Sequence, residues 1–237
     1  LTWLQSYVPA HNGNRWFRRL PGVVLVSDAS VKGVGGVAGS QLPQQNQLPQ
    51  QSSMVHVSLQ SQIPVELQLS SSTCREAMGI LSLFQTLLQQ PQWIQLLEHR
   101  AVKVLTDNQG VAFDIQRMHG TSSVFRHILS LYELAAQHDI ELQVEWRPRE
   151  HELLQYADMH SKLVDVADWA VSLDAFVALC NAWQVSPTVD WFARPWSAKC
   201  SMFYSHFLMP GCSGVDAFDF NWALPAPQLS YICPPHM

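Results

Sequence analysis

The chain has 237 residues, enough for one large domain or one domain with a substantial appendage, and 47% of them are apolar, enough for a sizeable core. Only 14% are charged, Gln is abundant, and the formal net charge of −5 excludes a protein that grips nucleic acid by a basic surface alone. A metal-dependent nuclease stays compatible, because bound cations reverse the local sign where a phosphate sits.

Residues 1–19 form a lead-in that carries Trp3, Trp16, Phe17 and the basic residues Arg15, Arg18 and Arg19. After Pro21-Gly22, the run Val23-Val24-Leu25-Val26 is short, apolar and rich in β-branched residues, which predicts a strand buried on both faces. It leads into Ser27-Asp28-Ala29-Ser30, so Asp28 falls near the strand's carboxyl end. Lys32-Gly33-Val34-Gly35-Gly36 predicts a glycine-rich turn, with a returning strand through Val37 and Ala38. Residues 41–53 contain Gln-Leu-Pro-Gln-Gln twice, at 41–45 and 47–51; this segment is too polar and proline-broken to pack, and reads as a mobile insertion.

Alternation at Val55, Val57 and Leu59, and again at Val65, Leu67 and Leu69, predicts two further strands. A helix is expected after Ser70-Ser71-Ser72-Thr73, with Ala77, Ile80, Leu81, Phe84, Leu87 and Leu88 on its apolar face and Pro91 ending it. Val102, Val104 and Leu105 predict a strand leading into Thr106-Asp107-Asn108. Val124, Ile128, Leu131 and Ala135 mark a helix, Leu142, Val144 and Trp146 a strand closed by Arg147-Pro148, and residues 153–165 a last helix. The order predicts an α/β fold with a mixed sheet flanked by helices.

From about residue 166 the texture changes to an aromatic-rich C-terminal extension, 166–237, holding Trp169, Trp183, Trp191, Trp196 and Trp222. These aromatics are expected to fill a core, with base stacking as the alternative. Cys74, Cys180, Cys200, Cys212 and Cys233 are odd in number and lack a CxxC pair, the pattern of reduced thiols. Cys200, His206, Cys212, Cys233 and His236 lie near one another, but at spacings of no common zinc pattern. No apolar run would span a bilayer and no secretory signal is present, so an intracellular protein is expected, cytoplasmic or nuclear. A start at Leu1 rather than Met is expected of a piece of something longer.

The acids carry the chemistry. Asp28 and Asp107 each follow a short buried strand, Glu76 lies in the first turn of a helix, and Asp158 starts or enters the last helix. Side chains at the ends of central strands and at nearby helix starts converge at one edge of an open sheet. Crowded carboxylates need cations to neutralise them. Two hard divalent ions held by oxygen ligands suit phosphodiester hydrolysis. Each acid also has a structural alternative: Asp28 starting a turn, Glu76 forming a capping box with Thr73, and Asp107-Asn108 or Asp158 capping helices.

At these residues the sequence resembles the ribonuclease H family, in the reverse-transcriptase-linked branch of retrotransposons. The matching pieces are Ser27-Asp28-Ala29-Ser30 with Gly33, Gly35 and Gly36; Thr73-Cys74-Arg75-Glu76; Thr106-Asp107-Asn108; and Trp146-Arg147-Pro148-Arg149-Glu150 leading to Ala157-Asp158, in the family's order. The Trp-x-Pro-Arg-Glu form, with Val189-Asp190-Trp191-Phe192-Ala193, Asp216-Ala217-Phe218 and Pro234-Pro235, resembles DIRS-like (tyrosine-recombinase) retrotransposons. The resemblance implies a ribonuclease H-like domain over 20–165. It implies Asp28, Glu76, Asp107 and Asp158 as catalytic and metal-binding acids, holding two Mg²⁺ ions with Mn²⁺ as a substitute. The implied substrate is an RNA–DNA hybrid, and the implied neighbour is the reverse transcriptase region of the same polyprotein. Two departures stand out. The family's Asn four residues before the last acid is Leu154 here, and the segment from Pro148 to Asp158 is lengthened, which leaves Asp165 as a distant substitute for Asp158. His151 is the local candidate for a histidine that assists product release in some relatives. Lys32, Arg75, Arg147 and Arg149 are candidates to steer phosphates, with backbone donors near the glycines approaching a strand. The alternative to an enzyme is an inactive nucleic-acid-binding or polyprotein-interaction module of the same fold.

Overall fold

The structure is a computed structural model that describes residues 18–40, 56–162, 170–220 and 230–231; the lead-in before Arg18 and the Gln-rich repeat lie outside them. The chain divides into two compact units, Leu1–Lys162 and Leu163–Met237.

Five strands build the first unit: β1 (Pro21–Ala29), β2 (Gly33–Ser40), β3 (His56–Gln62), β4 (Ala101–Thr106) and β5 (Glu141–Trp146). They lie in the order β3-β2-β1-β4-β5. The β1/β2 and β2/β3 pairs are antiparallel, whereas β1/β4 and β4/β5 are parallel. The helices are α1 (Val65–Gln68), α2 (Ser72–Leu88), α3 (Pro91–Leu97), α4 (Gln109–Arg117), α5 (Ser122–Gln137) and α6 (Glu152–Lys162). This is the expected α/β architecture, a mixed sheet flanked by helices. β1 is central, and its residues from Gly22 to Ala29 are all buried, as a strand covered on both faces requires.

Alternation along β1 sorts its side chains between two layers. Val24 and Val26 pack with Leu105, Leu154 and Ala157, which places α6 on that face. The other face receives α2, where Gly79 lies against Val34 and Ala29. The glycines of β2 make both contacts close. A Cβ on Gly35 would fall 2.2 Å from the backbone N of Ser161 and 2.4 Å from the carbonyl O of Ala157. One on Gly36 would fall 2.3 Å from Leu83 Cδ1. Thus Gly33, Gly35 and Gly36 belong to a strand rather than to the expected turn, and they seat helices rather than admit a nucleic-acid backbone. The turn itself is made by Ser30, whose Oγ accepts from the backbone N–H groups of Lys32 and Gly33, each at 3.0 Å.

Two other expectations are corrected. Val65, Leu67 and Leu69 do not form a strand: Val65–Gln68 is a single helical turn, with Val65 76% and Leu69 97% exposed. Pro64, at φ −53°, suits a helix start and brings no N–H to a sheet ladder. Pro91 does more than follow α2, which stops at Leu88; it occupies the opening turn of α3, where its missing N–H costs nothing.

In the second unit α7 (Leu173–Trp183) is capped by Ser172, whose Oγ accepts from Ala175 N at 3.2 Å. Four short strands follow: β6 (Val189–Asp190), β7 (Met202–Ser205), β8 (Gly214–Val215) and β9 (Ser230–Tyr231), in the order β8-β7-β6-β9 and all parallel. Val189, Trp191 and Ala217 are buried together with Tyr204 against them, and the Trp191 and Tyr204 rings stack with centroids 4.4 Å apart. Among the described residues no helix is long and apolar enough to cross a membrane.

Candidate functional site

Asp28 is the penultimate residue of β1, on the α6 face, and is 6% exposed. Its Oδ2 lies 2.5 Å from Ser161 Oγ, on the last turn of α6. Ser161 Oγ also lies 2.9 Å from the Asp158 carbonyl O, so one hydroxyl ties α6 to the end of β1.

Glu76 arrives from the opposite layer. The N-cap of α2 is Ser71, whose Oγ accepts from Cys74 N at 3.2 Å, so Glu76 lies beyond the capping turn and the capping-box alternative fails. Its Oε1 instead accepts from Ala29 N at 2.9 Å, at the end of β1. Its Oε2 is buried and has no hydrogen-bond partner. Asp107 directly follows β4. Its neighbour Asn108 does the capping of α4, accepting from Val111 N at 3.1 Å, which leaves the Asp107 carboxylate for other work. Asp28, Glu76 and Asp107 each offer a carboxylate oxygen, all within 4.8 Å of one another.

Asp158 lies inside α6 rather than at its start, and is not part of that group. Arg149 Nη2 donates to its Oδ1, and Lys162 Nζ, one turn along the helix, lies 2.7 Å from it. Arg149 also reaches Asp107, with Nε 3.6 Å from Oδ2. Asp165 lies outside the described residues.

Burial, followed by the charge of Asp28, holds the Glu76 carboxyl well above its ordinary pKa. Burial also raises that of Asp28, with Asp158 and Asp107 adding to it and the Ser161 hydrogen bond opposing. At Asp158 burial acts upward, but the hydrogen bonds from Lys162 and Arg149 outweigh it and the net shift is down. Such strain between buried like charges is what a divalent cation relieves. The orphaned Glu76 Oε2 and the hard oxygen donors of all three acids fit Mg²⁺ or Mn²⁺.

The remaining candidates separate clearly. Arg75 donates to the carbonyls of Gln68 and Ser70, so its guanidinium braces the start of α2, while its charge weakly favours the ionised form of its neighbour Glu76. Arg147 pairs with Glu145. Lys32 is exposed on the β1–β2 turn. His151 precedes α6, its carbonyl accepting from Leu154 and Gln155 N–H, while its Nδ1 is buried without a hydrogen-bond partner. Asp190 accepts from the backbone of Phe192 and Lys199, and Asp216 from that of Phe218, so both serve local structure. Burial pushes the Cys200 thiol up to about 11, its Sγ lies 3.5 Å from the Pro187 carbonyl O, and Cys233 and His236 lie outside the described residues. Among the described residues the Asp28–Glu76–Asp107 group is the one of this kind.

Sequence reasoning missed Ser161. The available signal was helical spacing: Leu154, Ala157 and Ser161 share the α6 face that meets Asp28.

No family model matches the chain, and no curated protein matches it. Solved structures do. Ribonuclease H1 of Halobacterium salinarum is 11% identical, with a TM-score of 0.40 over 58% of this chain and 92% of that one. The N-terminal ribonuclease H domain of Rv2228c from Mycobacterium tuberculosis is 15% identical, with a TM-score of 0.36 over 68% of this chain and 97% of that one. The protease–reverse transcriptase of prototype foamy virus is 16% identical, with a TM-score of 0.36 over 61% of this chain and 21% of that one. The fold itself rests on the strand order and register described above.

Proposed function

We propose that this chain is a divalent-metal-dependent endonuclease of ribonuclease H type, which hydrolyses the RNA strand of RNA–DNA hybrids during reverse transcription of a retroelement. The observation that carries the proposal is the meeting of Asp28, Glu76 and Asp107, with a buried Glu76 oxygen aimed at no protein donor. These three acids are the inner ligands, and Asp158 completes the set at the rim. When bound, two Mg²⁺ ions supply the charge that activates a water and offsets the negative charge on the departing 3′ oxygen, leaving 3′-hydroxyl and 5′-phosphate ends. The chain's own part is placement: β1 and β4 hold Asp28 and Asp107, Ala29 N fixes Glu76, and Ser161 orients Asp28. The hybrid is distinguished from duplex DNA by its shape and 2′-hydroxyls. The retroelement setting, with the reverse transcriptase region of the same polyprotein as neighbour, is supported by the likeness of Trp146–Glu150 and the tail motifs to DIRS-like elements.

Incubation of the full chain with labelled hybrid and Mg²⁺, beside an Asp107→Asn control, tests this. Cleavage by the parent that is lost in the control is expected; equal cleavage by both would reject it. A second reading, an inactive hybrid-binding or polyprotein-interaction module, is favoured by the engagement of Asp158 with Arg149 and Lys162. Salt-sensitive hybrid binding without cleavage would establish the binding form of it.

A further inference from the structure

Resting on the metal-site reading above, we propose that Arg149 competes with a divalent cation for Asp107 and Asp158, and thereby sets the metal affinity of the outer side of the site. The segment between β5 and α6 delivers this arginine. Arg147 N donates to Thr106 O at 3.0 Å, and His151 N donates to Pro148 O at 3.0 Å, so a turn of fixed ends stands beside Asp107. From it the guanidinium donates to Asp158 Oδ1 through Nη2 and brings Nε to 3.6 Å from Asp107 Oδ2.

The four acids are therefore unequal. On the inner side Glu76, 4% exposed, keeps an oxygen with no hydrogen-bond partner, open to an incoming cation. On the outer side Asp158 already has two cationic partners, Arg149 and Lys162. Arginine suits this position because its planar fork spans two carboxylates, which a lysine ammonium on one acid cannot do. The Arg149 side chain is 60% exposed, and exposed pairs of this kind are weak, so a doubly charged ion drawn to the same oxygens displaces it. Arg149 is then a regulator of loading rather than a group that touches the reacting atoms.

Calorimetric titration of the full chain with Mn²⁺, without nucleic acid, tests the proposal. Arg149→Met is expected to bind Mn²⁺ about 2- to 5-fold tighter than the parent. Arg149→Lys, which keeps the charge but loses the fork, should fall between them. Arg147→Met removes the same charge two residues away, from a side chain bonded to Glu145, and should leave the affinity as in the parent. Unchanged or weaker binding by Arg149→Met overturns the proposal, as does equal tightening by Arg147→Met, which would mean a diffuse charge effect. Binding by the parent no stronger than by Asp107→Asn would instead remove the metal site itself, and this inference with it.

Discussion

Glu76 shows how one side chain trades stability for a site. Its carboxylate is buried against Asp28, with one oxygen bonded to Ala29 N and the other bonded to nothing. Replacing it with Gln removes a buried like charge at little change in shape. Glu76→Gln is expected to stabilise the fold by about 1–2 kcal/mol in denaturant melts with a chelator present, and to abolish hybrid cleavage when Mg²⁺ is supplied. A less stable variant would show that the carboxylate is already compensated. The pH dependence has a definite sign. Asp28 and Glu76 hold their protons more tightly in the fold than in the unfolded chain, so their effect is to lower stability as pH rises from the ordinary carboxylate range through the raised values. Asp158 runs the other way: its depressed pKa contributes stability above the ordinary range, lost as pH falls through the folded value. A cation that binds the ionised acids reverses the first effect. The rise in thermal midpoint on adding Mg²⁺ is therefore expected to be larger at pH 8 than at pH 5; an equal rise at both would count against those acids as its ligands.

At the scale of elements, α6 is held to the sheet by shape. Gly35 lies directly under its last two turns, and Leu154 and Ala157 pack beside it on Val24, Val26 and Leu105. Any Cβ at Gly35 overlaps backbone atoms of α6, which cannot rotate away as a flexible side chain would. Gly35→Ala is expected to lower the thermal midpoint by about 5–10 °C and to weaken metal binding, because lifting α6 also lifts Ser161 from Asp28. Scanning fluorimetry with and without Mn²⁺ reads both, and a variant with an unaltered midpoint would mean the helix seats elsewhere. The same packing explains why β2 is rich in glycine: Gly35 serves α6 on one face and Gly36 serves α2 on the other.

For the whole molecule, every strand of the five-stranded sheet and each of the four acids precedes Leu163. The second unit has its own buried cluster around Trp191 and Tyr204. We expect a chain ending after Asp165 to fold and to bind Mn²⁺ within about twofold of the full chain, as measured by calorimetry. Failure of that shortened chain to fold would assign the extension a part in the stability of the sheet.

What the sequence by itself determined were the features set by short-range pattern. The run Val23–Val26 marked a strand with Asp28 near its end, Val102–Leu105 marked another leading to Asp107, and Val124, Ile128, Leu131 and Ala135 marked a helix, whereas the helix Gln109–Arg117 that Asn108 caps was not placed. The marked elements were legible because apolar runs and helical period operate over a few residues. Tertiary structure decided which acids meet, what else touches them and what the glycines are for. Ser161 and Asp28 are 133 residues apart, and Ala29 and Glu76 are 47 apart, so no local pattern links either pair. Glu76 could equally have capped its helix, and Arg149 could equally have faced solvent. Only the convergence of strand ends from one sheet with helices from both of its faces chose between those states, because burial and charge act through space rather than along the chain.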